Sequence, residues 1–193
     1  MSLFVIMGAQ AAGKMTVGKA LEKKIDGRLL YNHQTLDLFA NYLGFTREAF
    51  RLSDELRKNL FKAFVENKAT NPTESIIFTV VVNFDAPEDH QFLQEIANIF
   101  LEAKEAVYFI ELVTSLEERL KRNIHEARLE AKPSKRDIIF SENELKITAE
   151  KYRLQSDEGE MSNLHPEVHY LKIDNTYVSE ETVAQRIINQ FDL

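Results

Sequence analysis

The sequence predicts an α/β protein of three layers, in which a parallel sheet of five strands carries helices on both faces. Short apolar runs alternate about five times with longer stretches of helical periodicity, a pattern typical of parallel sheets joined by helical crossovers. These runs are continuously apolar, as expected for strands that are buried on both faces. A chain of 193 residues with 44% apolar residues can bury a substantial core, so we expect one domain over residues 1–193.

The first half of the chain supplies three of the predicted strands. We expect strands at residues 3–7, 28–31 and 76–82, the last being β-branched and apolar throughout. Helical spacing begins at Lys14, where Val17, Leu21 and Ile25 recur on one face. Residues 35–43 and 46–68 also have helical periodicity, and Asn71-Pro72 ends the second of these helices.

The second half of the chain continues the alternation. Apolar residues from Leu93 to Leu101 indicate a helix, residues 106–113 a strand, and Ser115 with Glu118 a capping box that begins the next helix. We expect a second capping box, Ser141 with Glu144, to begin a helix that runs to about residue 153. Residues 156–166 are polar and predict a loop, before a last strand at 168–173 and a last helix that ends near Phe191.

Composition excludes several classes of protein. The chain has no cysteine, so disulfides, thiolate chemistry and cysteine-based metal sites are absent. No apolar run is long enough for a membrane span or a signal peptide, and we expect a cytoplasmic protein with no membrane partner. The net charge of −7 disfavours nucleic acid as a partner, because nucleic-acid binding depends on Lys and Arg at phosphates. Composition does not indicate an oligomeric state.

The charge is unevenly distributed. Residues 119–136 hold seven basic and two acidic residues, a net charge of +5, which leaves −12 for the rest of the chain. Basic runs are usually solvated loops, but this contrast favours contact with an anionic ligand.

A glycine-rich stretch follows the first strand. Gly8 and Gly13 are separated by four residues, and Lys14 follows at once, which is the spacing of a phosphate-binding loop between a strand and a helix. Backbone N–H groups of such a loop face the phosphates, and the helix adds its positive end. An ordinary glycine turn is the alternative. The residues expected to bind the cofactor are Gly8, Ala9, Gln10, Ala11, Ala12, Gly13, Lys14, Met15 and Thr16.

Met15 occupies the position where such loops usually carry a hydroxyl for Mg²⁺. A thioether is a poor ligand for this hard cation. The stretch "GAQAAGKMT" nevertheless resembles the loop of adenylate kinase and its relatives, which also lack a hydroxyl directly after the lysine and carry a threonine next. The resemblance therefore implies Thr16 as the metal ligand.

The whole chain resembles the nucleoside-monophosphate kinase and shikimate kinase group of P-loop kinases. Besides the loop, the resemblance rests on "FIELVTSLEERLKRN" and "YLKIDNTYVSEETVAQRI". A set of small shikimate-kinase-like proteins, which carry "NH" after the second strand and "KPSKRD" in the lid, is similar in more detail. The resemblance implies a P-loop NTPase fold, a helical insert at 32–74 that covers the acceptor, and a short lid at about 126–140. It also implies ATP and Mg²⁺ as cofactors and a small-molecule acceptor.

Further site residues follow from this resemblance. Lid arginines of the group touch the transferring phosphoryl, which makes Arg122 the first candidate and Arg128 and Arg136 the next. The loop after the last strand borders the adenine in this group, so Asn175 is expected to contact the nucleotide. The alternative is a solvated basic segment.

Two candidates lie at the ends of other strands. His33 follows the second strand, on the acceptor side, where it could take a proton from an acceptor hydroxyl, or be a loop histidine bonded to backbone. Asp85 follows the third strand, near the place of a metal-binding acid, although a role in the turn before Ala86-Pro87 competes. Arg51 and Arg57 lie in the insert, which covers the acceptor in this group. We expect them to be surface arginines, and contact with the acceptor is the alternative.

These observations favour an ATP-dependent kinase for an unidentified small molecule. Shikimate is disfavoured as the acceptor, because "YNHQ" and "VVNFD" replace the Asp-x-Asp and the glycine cluster of shikimate kinases. The alternative is an ATP-binding protein without phosphotransfer, which Met15 favours. A GTPase is a third hypothesis, but "NKAT" at Asn67 lacks the guanine-reading aspartate.

Overall fold

The central layer is a parallel sheet, in a computed structural model that describes residues 1–125 and 136–193. Its strands are β1 (Ser2–Gly8), β2 (Arg28–Tyr31), β3 (Ser75–Val80), β4 (Ala106–Val113) and β5 (His169–Asp174). They lie in the order β2-β3-β1-β4-β5, and all neighbours pair in parallel. β1 is the middle strand. From β1 the chain leads to β2 at one edge of the sheet, whereas from the neighbouring β4 it leads to β5 at the other edge. A crevice therefore opens at the carboxyl ends of β1 and β4, where such sheets bind ligands.

Helices cover both faces of the sheet. They are α1 (Lys14–Glu22), α2 (Asn32–Leu43), α3 (Arg47–Glu66), α4 (Pro87–Glu102), α5 (Leu116–Asn123), α6 (Ile138–Lys151), α7 (Glu160–Leu164) and α8 (Glu180–Phe191). On one face, α3 and α4 bury Phe61, Phe64 and Phe100 against the sheet. On the other face, α1 and α8 bury Leu21 and Ile187. The predicted three-layer α/β fold with a five-stranded parallel sheet is confirmed.

The structure corrects two predicted elements. α6 begins at Ile138, because Asp137 caps it by accepting a hydrogen bond from Phe140 N at 3.0 Å. Ser141 lies inside that helix, and its hydroxyl donates to Asn123 on α5 at 3.0 Å, so the predicted Ser141–Glu144 capping box is wrong. The predicted loop at 156–166 contains the short helix α7.

The capping box at α5 has the expected serine contact. The hydroxyl of Ser115 accepts a hydrogen bond from Glu118 N at 3.3 Å. The side chain of Glu118 instead accepts from Arg122 Nε at 2.9 Å. The cap therefore fixes the start of α5 while Glu118 orients an arginine one turn later.

A buried carboxylate, Glu111 on β4, anchors the segment that follows α6. Its oxygens accept hydrogen bonds from Ser156 N at 3.0 Å, Ser156 Oγ at 2.5 Å and Tyr170 Oη at 2.6 Å. Burial, together with the bond to Glu111, raises the pKa of Tyr170 above its usual range. Because a buried carboxylate needs such donors, the chain after α6 is held against the sheet.

Within the described part of the chain, no helix is long and apolar enough to cross a membrane.

We predict that Phe61→Ala lowers the free energy of unfolding by roughly 3–5 kcal/mol, because the side chain is fully buried between Phe78 and Phe100. Urea unfolding followed by circular dichroism measures this change. The control is Tyr42→Ala on α2, where the side chain is 85% exposed and a change within about 0.5 kcal/mol is expected. Equal effects of the two substitutions would contradict the assigned core.

Candidate active site

The loop between β1 and α1, residues 8–13, is called the glycine loop below. Gly8 has φ 147° and Gly13 has φ 90°, a region that side chains rarely adopt. A Cβ at Gly8 would also lie 2.6 Å from the carbonyl oxygen of Leu112. Ala11 has φ 61°, and such strain in a non-glycine residue is typical of functional loops. The loop therefore has a shape that only this glycine pattern allows.

Lys14 lies at the first position of α1. Its ammonium donates hydrogen bonds to Gly8 O at 2.6 Å and to Ala9 O at 2.7 Å. The positive charge is thus held at the β1 end of the glycine loop. Because the lysine of such loops reaches the outer phosphates of a nucleotide, this end is where the outer phosphates would bind.

The side chains of Met15 and Thr16 lie in different environments. Met15 is buried, whereas Thr16 is exposed and its hydroxyl donates to Gly13 O at 2.8 Å. That donation leaves the oxygen lone pairs of Thr16 available for a cation. The side-chain oxygen of Gln10 is buried and, within the described residues, lacks a hydrogen-bond partner. The exposed hydroxyl of Thr16 fits Mg²⁺, which keeps several waters and few protein ligands.

Three donors converge on one carbonyl oxygen of the glycine loop. Ala12 O accepts from Asn175 Nδ2 at 2.8 Å, Thr114 Oγ1 at 3.3 Å and Arg122 NH1 at 3.4 Å. Arg122 NH2 also donates to the carbonyl oxygens of Asn175 and Thr176, both at 2.9 Å. The structure thus brings Arg122 and Asn175 together beside the loop.

His33 is the second residue of α2, which follows β2 directly. Its Nδ1 lies 2.8 Å from Asp37 Oδ1, one helical turn along. The same corner is tied to β3, because Asn32 N donates to Thr79 Oγ1 at 3.1 Å. His33 therefore lies at the carboxyl edge of the sheet, with β3 between its strand and β1.

The structure places Arg57 in the interior rather than at the surface. It is only 3% exposed. Its guanidinium donates to Thr35 Oγ1 at 2.7 Å, Asn32 O at 2.9 Å and Asp54 Oδ1 at 2.7 Å. Burial lowers its pKa to about 10. The surface prediction is wrong for Arg57 because α3 packs this side chain against the start of α2.

Arg51 agrees with the expectation. Its side chain is half-exposed, and it pairs with Glu48 and Glu55 on the same helix.

Asp85 lies beside Arg153 rather than in a cluster of acids. Arg153 Nε donates to Asp85 Oδ1 at 2.8 Å, and 65% of the Asp85 side chain is exposed. Arg153 also donates to Phe84 O at 2.7 Å and to both carboxylate oxygens of Glu160. In the described ranges, no group of three or more His, Asp or Glu residues could hold a metal ion. Asp85 as a metal ligand or base stays a prediction.

The lid is described in part. Residues 126–135, including Arg128, lie outside the described residues. Arg136 is described and exposed, directly before the Asp137 cap of α6. Its role and that of the lid stay predictions.

Comparison with known proteins finds similarity at the level of the fold. No protein-family model matches the chain, and no curated protein sequence matches it. A shikimate kinase from Acinetobacter baumannii, solved in complex with shikimate, has a TM-score of 0.57 and 17% identity, with 98% of this chain and 92% of that chain covered. A gluconokinase from Sinorhizobium meliloti has a TM-score of 0.56 and 13% identity, with coverage of 99% and 91%.

A third solved structure, an inferred kinase from Chloroflexus aurantiacus, has a TM-score of 0.62 and 16% identity, with coverage of 99% and 96%. The chain therefore shares the α/β fold of these solved kinases over nearly its whole length. The TM-scores of 0.56–0.62 establish the shared fold, and sequence identities of 13–17% leave the acceptor open.

The Arg153–Glu160 pair predicts a pH dependence of stability. Arg153 lowers the pKa of Glu160 from 4.5 to about 2. The contribution of the ionised Glu160 to the free energy of unfolding is therefore fully present above pH 4.5 and is lost as the pH falls towards 2. Arg153→Met should thus destabilise the protein at pH 7, and the difference in Tm from the unsubstituted protein should shrink at pH 3.

Thermal unfolding of both proteins at pH 7, 5 and 3 measures this effect. Arg28→Met, which removes an exposed arginine from the start of β2, is the control and should show a small difference. A Tm difference for Arg153→Met that is constant from pH 7 to pH 3 would contradict the assignment.

Proposed function

We propose that the protein is an ATP-dependent phosphotransferase that acts on a small-molecule acceptor. The observation that carries this proposal is the strained glycine loop, with Lys14 at its β1 end and the amino end of α1 beneath it. This arrangement suits the binding of a polyphosphate by backbone N–H groups and a lysine. The fold shared with solved kinases supports phosphotransfer as the reaction.

Charge neutralisation is the main contribution of the chain to the reaction. The loop amides would hold the inner phosphates, and Lys14 would bind oxygens of the outer ones. Mg²⁺, when bound, supplies further positive charge to the phosphate oxygens, with Thr16 as its protein ligand. Arg122, which lies at the glycine loop and at the loop after β5, is suited to contact the nucleotide. The proposal includes Asn175 beside the adenine and a cytoplasmic location.

The acceptor would approach from the side of β2 and β3. There, the insert of residues 32–74 holds His33 at the carboxyl edge of the sheet. Asp37 contacts His33 Nδ1, an arrangement that fixes the orientation of the ring. His33 would accept the proton of an acceptor hydroxyl as the phosphoryl group transfers. Asp85 is the second candidate for this role, and Arg128 and Arg136 would close over the phosphates from the lid.

A second function, ATP binding without transfer, is favoured by two observations. Met15 replaces the usual hydroxyl, and Asp85 is engaged by Arg153. A thermal-shift scan with ATP, GTP, ADP and Mg²⁺ tests binding, and ADP release over a panel of hydroxyl and phosphate acceptors tests transfer. Stabilisation by ATP without acceptor-dependent ADP release across the panel would favour this second function, and a preference for GTP would favour a GTPase.

We predict that Lys14→Ala abolishes acceptor-dependent ADP release, with a loss of at least about a hundredfold, because it removes the ammonium that is held at Gly8 O and Ala9 O, where the outer phosphates would bind. Circular dichroism should show an unchanged fold. The matched control is Lys19→Ala, an exposed lysine on the same helix, which should retain full activity. If Lys14→Ala retains full activity, the active site is elsewhere.

A further inference from the structure

Arg119 on α5 is a buried arginine that the proposed mechanism does not use. It is 6% exposed and lines a cavity of about 110 Å³ beside the glycine loop. Ala9 of that loop and Thr114 after β4 line the same cavity, and so do Tyr152 and Gln155 after α6. The cavity thus lies between the glycine loop, α5 and the segment that follows α6.

Within residues 1–125 and 136–193, the guanidinium of Arg119 has no counter-charge. Its Nε and NH1 atoms are buried and have no hydrogen-bond partner. Burial alone lowers the pKa of Arg119, with no carboxylate opposing it. Because an unpaired charge away from water is strongly unfavourable, such a group is typically paired with a counter-charge. Water in the cavity would not supply a counter-charge.

Arg57 is a second buried arginine in this protein, and its partners show that its role is structural. Its guanidinium donates to a carboxylate, a hydroxyl and a backbone carbonyl, all within 2.9 Å. Arg119 is buried to a similar degree and reaches none of these groups through Nε or NH1. The contrast indicates that the partner of Arg119 is a ligand rather than a side chain of the described residues.

The position of the cavity relates this ligand to the nucleotide. Ala9 lines the cavity, and its carbonyl oxygen accepts from the ammonium of Lys14 at 2.7 Å. The cavity therefore adjoins the end of the glycine loop where the outer phosphates would bind. Since one water occupies about 30 Å³ in the liquid, a volume of 110 Å³ accommodates a group as large as a phosphate.

We propose that Arg119 and the cavity that it lines bind a phosphate-like oxyanion beside the outer-phosphate end of the glycine loop. This inference rests on the proposed function and deepens it. Two sources can supply the oxyanion: the γ-phosphoryl group of ATP, or an anionic group on the acceptor. In both cases Arg119 is a binding residue with direct contact to the oxyanion, in addition to the lysine and the lid arginines.

The test measures binding of inorganic phosphate by calorimetry to the unsubstituted protein and to Arg119→Met. It is performed without nucleotide, with ADP and Mg²⁺, and with a non-hydrolysable ATP analogue and Mg²⁺. We expect Arg119→Met to weaken phosphate binding by at least about tenfold in the ADP complex, because a charge-assisted contact is lost. Arg119→Lys should retain part of the affinity, and the exposed control Arg28→Met should retain all of it.

The three arms distinguish the two sources. If the oxyanion is the γ-phosphoryl group, the ATP-analogue complex does not bind phosphate, and Arg119→Met weakens the analogue more than ADP. If the oxyanion belongs to the acceptor, both nucleotide complexes bind phosphate in a manner that depends on Arg119. Either result supports the proposal.

Phosphate binding that is equal for the unsubstituted protein and Arg119→Met in every arm overturns the proposal. This failure differs from failure of the proposed function, which would appear as absence of ATP binding or of ADP release. If nucleotides do not bind, the arm without nucleotide still compares the two proteins, because the glycine loop is identical in both.

A stability measurement separates a binding role from a structural one. Arg119→Met removes a buried unpaired charge and keeps an apolar side chain of similar length. In buffer without phosphate or sulfate its Tm should therefore equal or exceed that of the unsubstituted protein. A lower Tm, without loss of phosphate binding, would show that Arg119 is structural and would overturn the proposal.

Discussion

The carbonyl oxygen of Ala12 is the point on which the site depends. It accepts hydrogen bonds from Thr114 after β4, Asn175 after β5 and Arg122 on α5. A buried carbonyl in a strained loop would otherwise lack partners and would favour a relaxed loop. By satisfying it, two strand ends and a helix hold the glycine loop in its strained shape. The glycine loop, the segment after β5 and α5 are therefore joined through one atom.

Much of the fold could be predicted from the sequence, because it depends on local pattern. The continuous apolar runs of β1, β3 and β4 and the helical spacing of α3 and α4 are visible without knowledge of contacts. The glycine loop was predictable for the same reason, since its two positive-φ glycines and its lysine lie within seven residues. By contrast, the start of α6 was misplaced, because Ser141 and Asp137 are both suitable caps and only packing against Asn123 decides between them.

The charged residues of the site were harder to predict. Arg57, Arg119 and Arg153 have no local signal that separates them from surface arginines. The partners of Arg57 and Arg153 lie between 3 and 69 positions away. The cavity beside Arg119 is lined in part by Ala9, which is still more distant in sequence. The pairing of Asp85 with Arg153 is likewise a contact between the end of β3 and the segment after α6. A sequence pattern therefore located the carboxyl edge of the sheet but did not assign a partner to each charge on it.

The contacts of Arg57 constrain how α2 and α3 can move. This one side chain of α3 donates to both a backbone carbonyl and a hydroxyl in the first turn of α2. The two helices are thus joined near the sheet by bonds that a separation of even 1 Å would break. Any displacement of the insert must therefore carry α2 and α3 together as a rigid pair, so His33 keeps its distance from Arg57.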